Sequence, residues 1–249
     1  MSQEPATSDK ASTDRELHSQ EKIWKHFQNA AKGSFELAWP RLDALVRKTA
    51  RLVARLPGER ARRPVVLNIG VGDGRFEQQA AARGWEVHSL DPDAEALARL
   101  KSAGVTTHVG IIEQLPQEDS SIDVVIASEV LEHLTDAQRR AGLAEIARVL
   151  RAGGTFLGTV PYAEDLAAGE VICPDCGLVF HRWGHHRSFQ NGDISRELSP
   201  FFSSVQESRT AFVSFSRGIV GNLKSVARWL LAKLGQPIAV PSIVWQATK

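Results

Sequence analysis

Residues 64–75 read PVVLNIGVGDGR, a short apolar run that passes directly into a loop containing three glycines. The run is apolar throughout, which is typical of a strand in a parallel sheet that is covered on both faces. Glycine permits positive φ, and it lets the backbone approach a ligand closely where a helix begins. The stretch therefore predicts a strand, a ligand-binding loop and a helix, in that order.

Four further apolar runs follow the first, and segments with helical periodicity separate them. The predicted strands are 65–69, 85–90, 105–112, 122–128 and 155–160, and the predicted helices between them are 75–83, 93–103 and 136–151. Strands that alternate with helices favour βα units and a parallel sheet. We therefore predict an α/β fold with a doubly wound, Rossmann-like sheet.

The chain divides into three parts with two additions. Residues 1–20 contain almost no large apolar side chains and are expected to be a disordered tail without a secretory signal. Residues 21–63 predict a helical lid. Residues 64–249 form the predicted α/β domain, with an insertion at 170–190 and a basic amphipathic helix at 217–235.

The charges balance almost completely, with 30 Lys+Arg against 29 Asp+Glu and a formal net charge of +1. This balance argues against a nucleic-acid-binding domain, which is usually strongly basic. The near-neutral total conceals an acidic central segment, 64–216, between two basic segments, 21–63 and 217–249. The basic flanks are therefore expected to meet any anionic ligand or membrane surface.

Asp91 ends the second predicted strand, and an acidic side chain at this place can accept hydrogen bonds from both hydroxyls of a ribose. The glycine loop departs from the dinucleotide fingerprint G-x-G-x-x-G, because its third glycine comes one residue early. A tight turn and a surface aspartate are the alternative for either element alone. Their combination in this strand context favours a site for a ribose-containing ligand.

Four stretches in order resemble the class I S-adenosylmethionine-dependent methyltransferases, especially the small-molecule group called methyltransferase type 11. They are NIGVGDGR at 68–75, LDPD at 90–93, GIIEQLPQEDSSIDVVIASEVLEHL at 110–134 and RVLRAGGTFLGTVP at 148–161. The resemblance covers residues 64–210 and implies a seven-stranded, mostly parallel sheet. In such a sheet a sixth strand lies around 203–215, and the closing PSIVWQATK is the last, antiparallel strand.

The resemblance also implies S-adenosylmethionine as the cofactor and assigns residues to it. The assigned residues are Gly70, Gly72 and Gly74 at the methionine part, Asp91 at the ribose, Ile112 and Glu113 at the adenine, and Ser128 facing the sulfonium. Asn68 stands where the family usually has an acidic residue that helps hold the amino end of the cofactor. Ile111 stands where an aspartate often accepts a hydrogen bond from the adenine.

Methyl transfer from a sulfonium is a displacement by a nucleophile of the substrate, so the protein mainly positions the reactants and excludes water. A general base helps where the acceptor is a hydroxyl, and the candidates are His133, His186, His181 and His185. Glu132 and His133 have two interpretations. They cap or orient the following helix, or they form an acid/base or metal-binding pair near the methyl group, as in quinone O-methyltransferases with a similar EVLEHV.

Residues 173–189 read CPDCGLVFHRWGHHRSF and contain the only two cysteines of the chain. The spacing C-x2-C-x4-H-x4-H predicts a tetrahedral Zn²⁺ site with the ligands Cys173, Cys176, His181 and His186. His185 can replace His186 in this set. The alternatives are an acceptor site around His186 and Arg187, or two free cysteines in a basic loop. The low cysteine content is typical of a reducing, cytoplasmic setting.

The amphipathic stretch at 217–235 either packs on the domain or lies on a membrane surface, where Trp229 can anchor at the interface. No apolar run approaches the roughly 20 residues of a membrane span.

The N-terminal KIWKHFQNAAKGSFELAWPRLDALV resembles the leader of bacterial methyltransferases of cell-surface polysaccharide and glycolipid pathways. We therefore expect a methyltransferase that acts on a sugar, a glycolipid or a lipid-linked intermediate. The alternatives are an O-methyltransferase for a quinone or polyketide-type metabolite, and a non-catalytic cofactor-binding regulatory or scaffold protein. Nucleic-acid methylation is disfavoured, because the motifs of base-modifying enzymes are absent from the sequence.

Overall fold

The computed structural model describes residues 22, 23, 25, 26, 28, 35–56, 62–212, 223, 226, 227, 230 and 241–249. The predicted tail, residues 1–20, lies outside the described residues, as does most of the predicted helix at 217–235. Within the described ranges, no helix combines the length and the apolar character that crossing a membrane requires.

The described residues contain nine strands in two sheets. In chain order they are β1 (Val65–Ile69), β2 (Glu86–Asp91), β3 (Thr106–Val109), β4 (Ile122–Ser128), β5 (Leu150–Pro161), β6 (Glu170–Ile172), β7 (Val179–His181), β8 (Ser204–Thr210) and β9 (Ser242–Thr248). The main sheet has seven strands in the order β3-β2-β1-β4-β5-β9-β8, and β6 pairs with β7 in a separate hairpin.

Strands β1 to β5 pair in parallel, whereas β9 is antiparallel to both of its neighbours. The predicted Rossmann-like fold and its seven-stranded sheet are therefore confirmed. β1 and β4 have the predicted bounds, and β9 lies in the closing segment as expected. The β6–β7 hairpin is a feature that the sequence pattern did not reveal.

Helices cover both faces of the main sheet. In chain order they are α1 (Trp39–Val53), α2 (Arg75–Ala81), α3 (Ala94–Ala98), α4 (Asp136–Val149) and α5 (Asp193–Leu198). Neighbouring residues of β1 point to opposite faces, so Val66 packs with α1 and α2 whereas Leu67 packs with α4 and α5. Because both faces are buried, most residues of β1 and β4 are apolar, which explains the nearly continuous apolar runs in the sequence.

Helix α1 lies in the segment that was predicted as a lid, and it packs on the main sheet. Leu45 and Val46 on its inner side are fully buried in the core on this face. Pro40 stands in its first turn, where a proline has no amide hydrogen to lose. The helix therefore belongs to the α/β core, and its N-terminal end borders the glycine loop.

Candidate functional site

The glycine loop follows β1 directly and holds its three glycines in the left-handed region, with φ of +81° at Gly70, +56° at Gly72 and +79° at Gly74. A Cβ added at Gly70 would lie 3.0 Å from a methyl carbon of Val130, and one at Gly72 would lie 3.3 Å from the ring of Phe35. Positive φ and close neighbours both exclude larger residues here. The loop therefore presents bare backbone to the space above it.

Asp91 ends β2 beside this loop, and its side chain is buried. Its Oδ2 accepts the amide hydrogen of Val71 at 2.9 Å and the side-chain amide of Gln28 at 3.2 Å. Its Oδ1 accepts the amide hydrogen of Asp93 at 2.8 Å. Burial raises the pKa of Asp91 above its ordinary value, and these hydrogen bonds oppose that shift. They fix the carboxyl group, while each oxygen keeps acceptor capacity for a ligand.

A cavity of about 290 Å³ opens at the carboxyl ends of β1, β2 and β3. Its lining contains five of the residues predicted from the sequence, which are Gly70, Asp91, Ile112, Glu113 and His133. Strand order reverses at β1, whose neighbours are β2 on one side and β4 on the other. In doubly wound folds the ligand binds at such a reversal, so the cavity lies where a cofactor is expected.

Asn68 lies beneath the glycine loop and does not line the cavity. Its side-chain amide donates to the carbonyl oxygen of Gly70 at 3.0 Å and to Oε1 of Glu77 at 2.6 Å. Glu77 is fully buried and also accepts a hydrogen bond from Ser89 at 3.1 Å. Burial raises the pKa of Glu77 to about 7. The acid that the family usually carries on β1 is thus absent there, and a buried carboxyl group of α2 stands behind the loop instead.

Ser128 ends β4, and neither it nor the following Glu129 is among the residues that line the cavity. The hydroxyl of Ser128 lies 2.9 Å from that of Thr159 and accepts a hydrogen bond from Nε of Arg41 at 3.1 Å. Glu129 has a φ of +56°, which is uncommon for a residue with a side chain, and its carboxylate lies 3.7 Å from Arg41. Arg41, from the first turn of α1, therefore contacts the end of β4.

Glu132 and His133 lie in a 3-10 helix, Leu131–His133, between β4 and α4. They do not cap α4, because the Thr135 hydroxyl accepts the amide hydrogen of Gln138, and the side-chain oxygen of Gln138 accepts the amide hydrogen of Thr135. Glu132 is fully buried. Burial raises its pKa well above the usual range and lowers the pKa of His133 well below it. The capping part of the first interpretation is therefore wrong, because Thr135 is the N-cap, whereas the orienting part stays a prediction.

The β6–β7 hairpin and the segments on either side of it bring further polar side chains close to Glu132 and His133. Nδ1 of His185 lies 2.5 Å from Oε2 of Glu164, and Nε2 of His181 lies 3.6 Å from Oε1 of Glu164. The ring of His185 also contacts that of His133, with 4.5 Å between the ring centroids. We call these residues the histidine cluster, and its members are Glu132, His133, Glu164, His181 and His185.

The four predicted zinc ligands are not assembled in one place. Cys173 and Cys176 lie in the turn of the hairpin, whereas His181 pairs with Glu170 at its opposite end. Two strand residues separate these ends, which corresponds to about 7 Å before the turn is added. Among the described residues, the groups that can share a metal ion contain no cysteine. The C-x2-C-x4-H spacing suggested a metal site wrongly, because His181 is the last residue of β7, and this strand runs away from the turn that contains the cysteines.

His186, the other predicted base, is exposed and is not among the residues that line the cavity. Its backbone amide donates to the carbonyl oxygen of Glu132 at 2.8 Å, so it ties the segment after the hairpin to the 3-10 helix. The neighbouring His185 takes the inner position. Glu164 carried no signal in the sequence, because nothing in a single acidic residue indicates that it will meet histidines some 20 positions later.

A protein-family model described as a methyltransferase domain matches residues 67–158. An uncharacterized methyltransferase of Mycobacterium tuberculosis is 37% identical over 108 residues, which are 43% of this chain and 43% of that protein. The malonyl-(acyl-carrier protein) O-methyltransferase of Serratia marcescens is 30% identical over 172 residues, which are 68% of this chain and 58% of that protein. The match thus spans less than two thirds of either curated relative.

Solved structures share the fold at lower sequence identity. The 1,6-didemethyltoxoflavin-N1-methyltransferase of Burkholderia thailandensis, with bound 1,6-didemethyltoxoflavin and S-adenosylhomocysteine, has a TM-score of 0.60 at 18% identity. That comparison covers 100% of this chain and 93% of the other. A protein of Pyrococcus horikoshii has a TM-score of 0.60 at 15% identity, over 92% of this chain and 98% of the other.

The matched segment runs from β1 to the middle of β5, so it contains the glycine loop, Asp91 and the 3-10 helix. It therefore contains all the residues that line the cavity except Lys25 and Gln28. The sheet order and the family match agree, and the chain is a member of the class I S-adenosylmethionine-dependent methyltransferases.

Proposed function

We propose that this protein transfers a methyl group from S-adenosylmethionine to a small-molecule acceptor. The observation that carries the proposal is the convergence of the glycine loop, Asp91, Ile112 and Glu113 on one cavity at the strand-order reversal. In this arrangement Asp91 holds the ribose hydroxyls, the apolar side of Ile112 contacts the adenine, and the loop backbone passes the methionine part. Asn68 holds the loop through its hydrogen bond to the carbonyl oxygen of Gly70.

Calorimetric titration of the full chain with S-adenosylmethionine and S-adenosylhomocysteine tests the cofactor site. We expect Asp91→Ala to weaken binding by about 100-fold, because hydrogen bonds to a charged group contribute about 1.5–3 kcal/mol each. The matched control is Glu118→Ala, which removes an exposed carboxylate outside the cavity. Absence of binding by the native chain would contradict the proposal, and equal binding by Asp91→Ala would contradict this placement of the ribose.

We propose a sugar, a glycolipid or a lipid-linked intermediate as the acceptor. This proposal is supported by the N-terminal resemblance to methyltransferases of cell-surface polysaccharide pathways. The test is mass spectrometry of acceptors incubated with the protein and a cofactor carrying a deuterated methyl group. A labelled sugar or lipid supports the proposal, and labelling confined to other classes contradicts it.

An O-methyltransferase acting on a quinone, a polyketide or a carboxylic acid is the second candidate. Two observations favour it, namely His133 in the cavity lining and a Serratia marcescens relative that is named as an O-methyltransferase. Burial keeps His133 neutral at pH 7, so its ring can accept a proton from a hydroxyl. The same labelling experiment separates these acceptors. A protein that binds the cofactor and labels nothing is the non-catalytic alternative.

Contact with a membrane surface through 217–235 is a further part of the proposal. The described residues of this segment are helical, and Leu223, Val226 and Leu230 are exposed at the spacing of one helix face. Apolar residues on one face of a basic helix suit an anionic bilayer. We expect the native chain to bind vesicles containing anionic lipid and Leu230→Glu to lose that binding. Failure of the native chain to bind such vesicles would contradict this part.

A further inference from the structure

Two groups in the histidine cluster have the composition and the spacing of a metal site. One is Glu132 with His133 and His185, and the other is Glu164 with His181 and His185. Within each group the ligand atoms lie within 4.8 Å of one another. Because His185 belongs to both, the hydrogen bonds of the rings decide which group can use it.

The rings of His133 and His185 are oriented by acceptors outside the first group. Nδ1 of His133 lies 3.2 Å from the carbonyl oxygen of Gly184, and Nδ1 of His185 lies 2.5 Å from Oε2 of Glu164. Both partners accept hydrogen bonds, so Nδ1 carries the proton in each neutral ring and Nε2 carries the lone pair. Histidines that bind metals are typically held in this way, by a carboxylate or a backbone carbonyl on the other nitrogen.

His181 has the opposite arrangement. Its Nδ1 accepts the backbone amide hydrogen of His185 at 3.1 Å, so its proton is on Nε2, on the side of Glu164. A Cβ at Gly169 would lie 1.9 Å from this Nε2, which means that the ring fits only against a glycine. The distance of 3.6 Å from this Nε2 to Glu164 is too long for a hydrogen bond, so Nδ1 of His185 is the close partner of Glu164. Glu164 is therefore placed to support His185 from outside instead of binding an ion.

Glu132 supplies an independent observation. Its side chain is fully buried, and within the part of the chain that the structure describes neither carboxylate oxygen has a hydrogen-bond partner. Arg41 attracts it electrostatically but forms its ion pair with Glu129. Burying a carboxylate without a partner is costly, and buried groups of this kind generally have a ligand, water or ion. The unpartnered oxygens lie beside the two oriented histidines.

We propose that Glu132, His133 and His185 bind one divalent first-row transition-metal ion, and that Glu164 holds His185 in the binding orientation. Two imidazoles and one carboxylate suit Zn²⁺, Fe²⁺ or Co²⁺, whereas Mg²⁺ and Ca²⁺ prefer oxygen ligands alone. Three protein ligands leave a coordination position open. His133 also lines the cavity, so the ion borders it. Binding of an acceptor oxygen at the open position rests on the proposed function, but the metal site itself does not.

Titration of the chelator-treated full chain with Co²⁺ and Zn²⁺ tests this site. We expect one ion per chain and a visible cobalt spectrum without the intense near-ultraviolet band that thiolate ligands produce. His185→Ala should weaken binding by at least 100-fold, and Glu164→Gln by 10- to 100-fold, because the carboxylate that orients the ring is lost. The matched control is His186→Ala, which removes the adjacent exposed imidazole and should leave binding unchanged.

A variant with Cys173→Ser and Cys176→Ser separates this site from a cysteine site, and it should bind the ion as the native chain does. Circular dichroism of each variant shows whether it is folded, and Glu164→Gln keeps the shape of the cluster if His185→Ala does not fold. The proposal is overturned if the native chain binds no ion, if His185→Ala or Glu164→Gln binds as tightly as native, or if the cysteine variant loses binding.

Calorimetry with S-adenosylmethionine on the metal-free chain keeps the two proposals distinguishable. Cofactor binding without metal binding contradicts the metal site and leaves the proposed function standing. Metal binding without cofactor binding contradicts the proposed function and leaves the metal site standing.

Discussion

The two sides of the cavity are constructed differently. On the cofactor side, the glycine loop and Asp91 come from β1, β2 and the turns directly after them, within about 25 residues of chain. On the other side, the histidine cluster combines a 3-10 helix after β4 with a hairpin that begins some 40 residues later. The cofactor side is made of backbone and one carboxylate, whereas the cluster is made of five titratable side chains.

This difference shows what each side requires of the chain. A loop of glycines needs only local conformation, so it is fully specified by residues that are adjacent in sequence. A cluster of histidines and carboxylates needs several segments to pack at defined distances, so it depends on the whole α/β core. The cofactor side should therefore respond mainly to changes of the backbone, and the cluster to changes of charge.

The largest effect is expected at Gly158 in β5, a strand of the main sheet that lies between β4 and β9. A Cβ there would lie 2.0 Å from Cζ2 of Trp245 and 2.3 Å from the backbone oxygen of Ala127, so neither neighbour can yield cheaply. We expect Gly158→Ala to lower the free energy of unfolding by about 4 kcal/mol in urea denaturation. Gly153→Ala is the control on the same strand, because no atom lies within 4 Å of its added Cβ.

Gly153 has a φ of +74°, so its alanine variant should lose only about 1 kcal/mol, from backbone strain. Similar losses for the two variants would mean that the core around Gly158 and Trp245 relaxes more easily than its packing indicates.

A pH dependence is expected next, from Glu77 behind the glycine loop. The folded pKa of about 7 exceeds the value of 4.5 for a free side chain, so the folded state binds the proton more tightly. The free energy of unfolding should therefore fall by about 3 kcal/mol as the pH rises from 4 to 8. Glu77→Gln keeps an oxygen that can accept the bonds of Asn68 and Ser89, and it should lack this decline.

Urea denaturation at unit steps of pH measures both chains, with Glu118→Gln as a control that keeps the native dependence. If native and Glu77→Gln respond alike to pH, the carboxyl group of Glu77 is not the source of the decline.

The smallest change in the free energy of unfolding is expected at Glu132, where the direction of the change is informative. Since this buried carboxylate has no hydrogen-bond partner among the described residues, Glu132→Gln should stabilise the metal-free chain by about 1 kcal/mol at pH 8. Thermal or urea denaturation in the presence of a chelator measures it. A loss of more than 1 kcal/mol would indicate that the carboxylate stabilises the fold, and it would weaken the distinction between the two sides.

Much of the cofactor side could be predicted because its signals are local. The run at 65–69, the glycines after it and the aspartate that ends β2 occupy their predicted places. The sequence shows that Asn68 departs from the acidic residue usual in the family, but it does not show that Asn68 pairs with Glu77. Glu77 lies on the next helix among ordinary helix residues, and its role arises only when α2 packs its side chain under the loop.

For the histidine cluster, the sequence predicted most of the chemically active residues but not how they are arranged. Glu132, His133 and the histidines after the cysteines were identified as chemically active, but the spacing suggested a zinc turn with Cys173 and Cys176. The hairpin register sends His181 to the opposite end from that turn. In the segment after the hairpin, His185 faces Glu164 whereas His186 is exposed, so the two adjacent histidines differ in their surroundings.

The sequence by itself determined the apolar strands of the parallel sheet, the glycine loop and the aspartate that ends β2, because apolar runs and glycine conformation act within a few residues. The tertiary structure decided that Glu77 stands behind the loop and that Glu132, His133 and His185 converge with Glu164 behind them. These contacts between distant residues depend on how helices and a hairpin pack against a common sheet. The whole core sets the resulting distances, and no periodic pattern in the sequence indicates them.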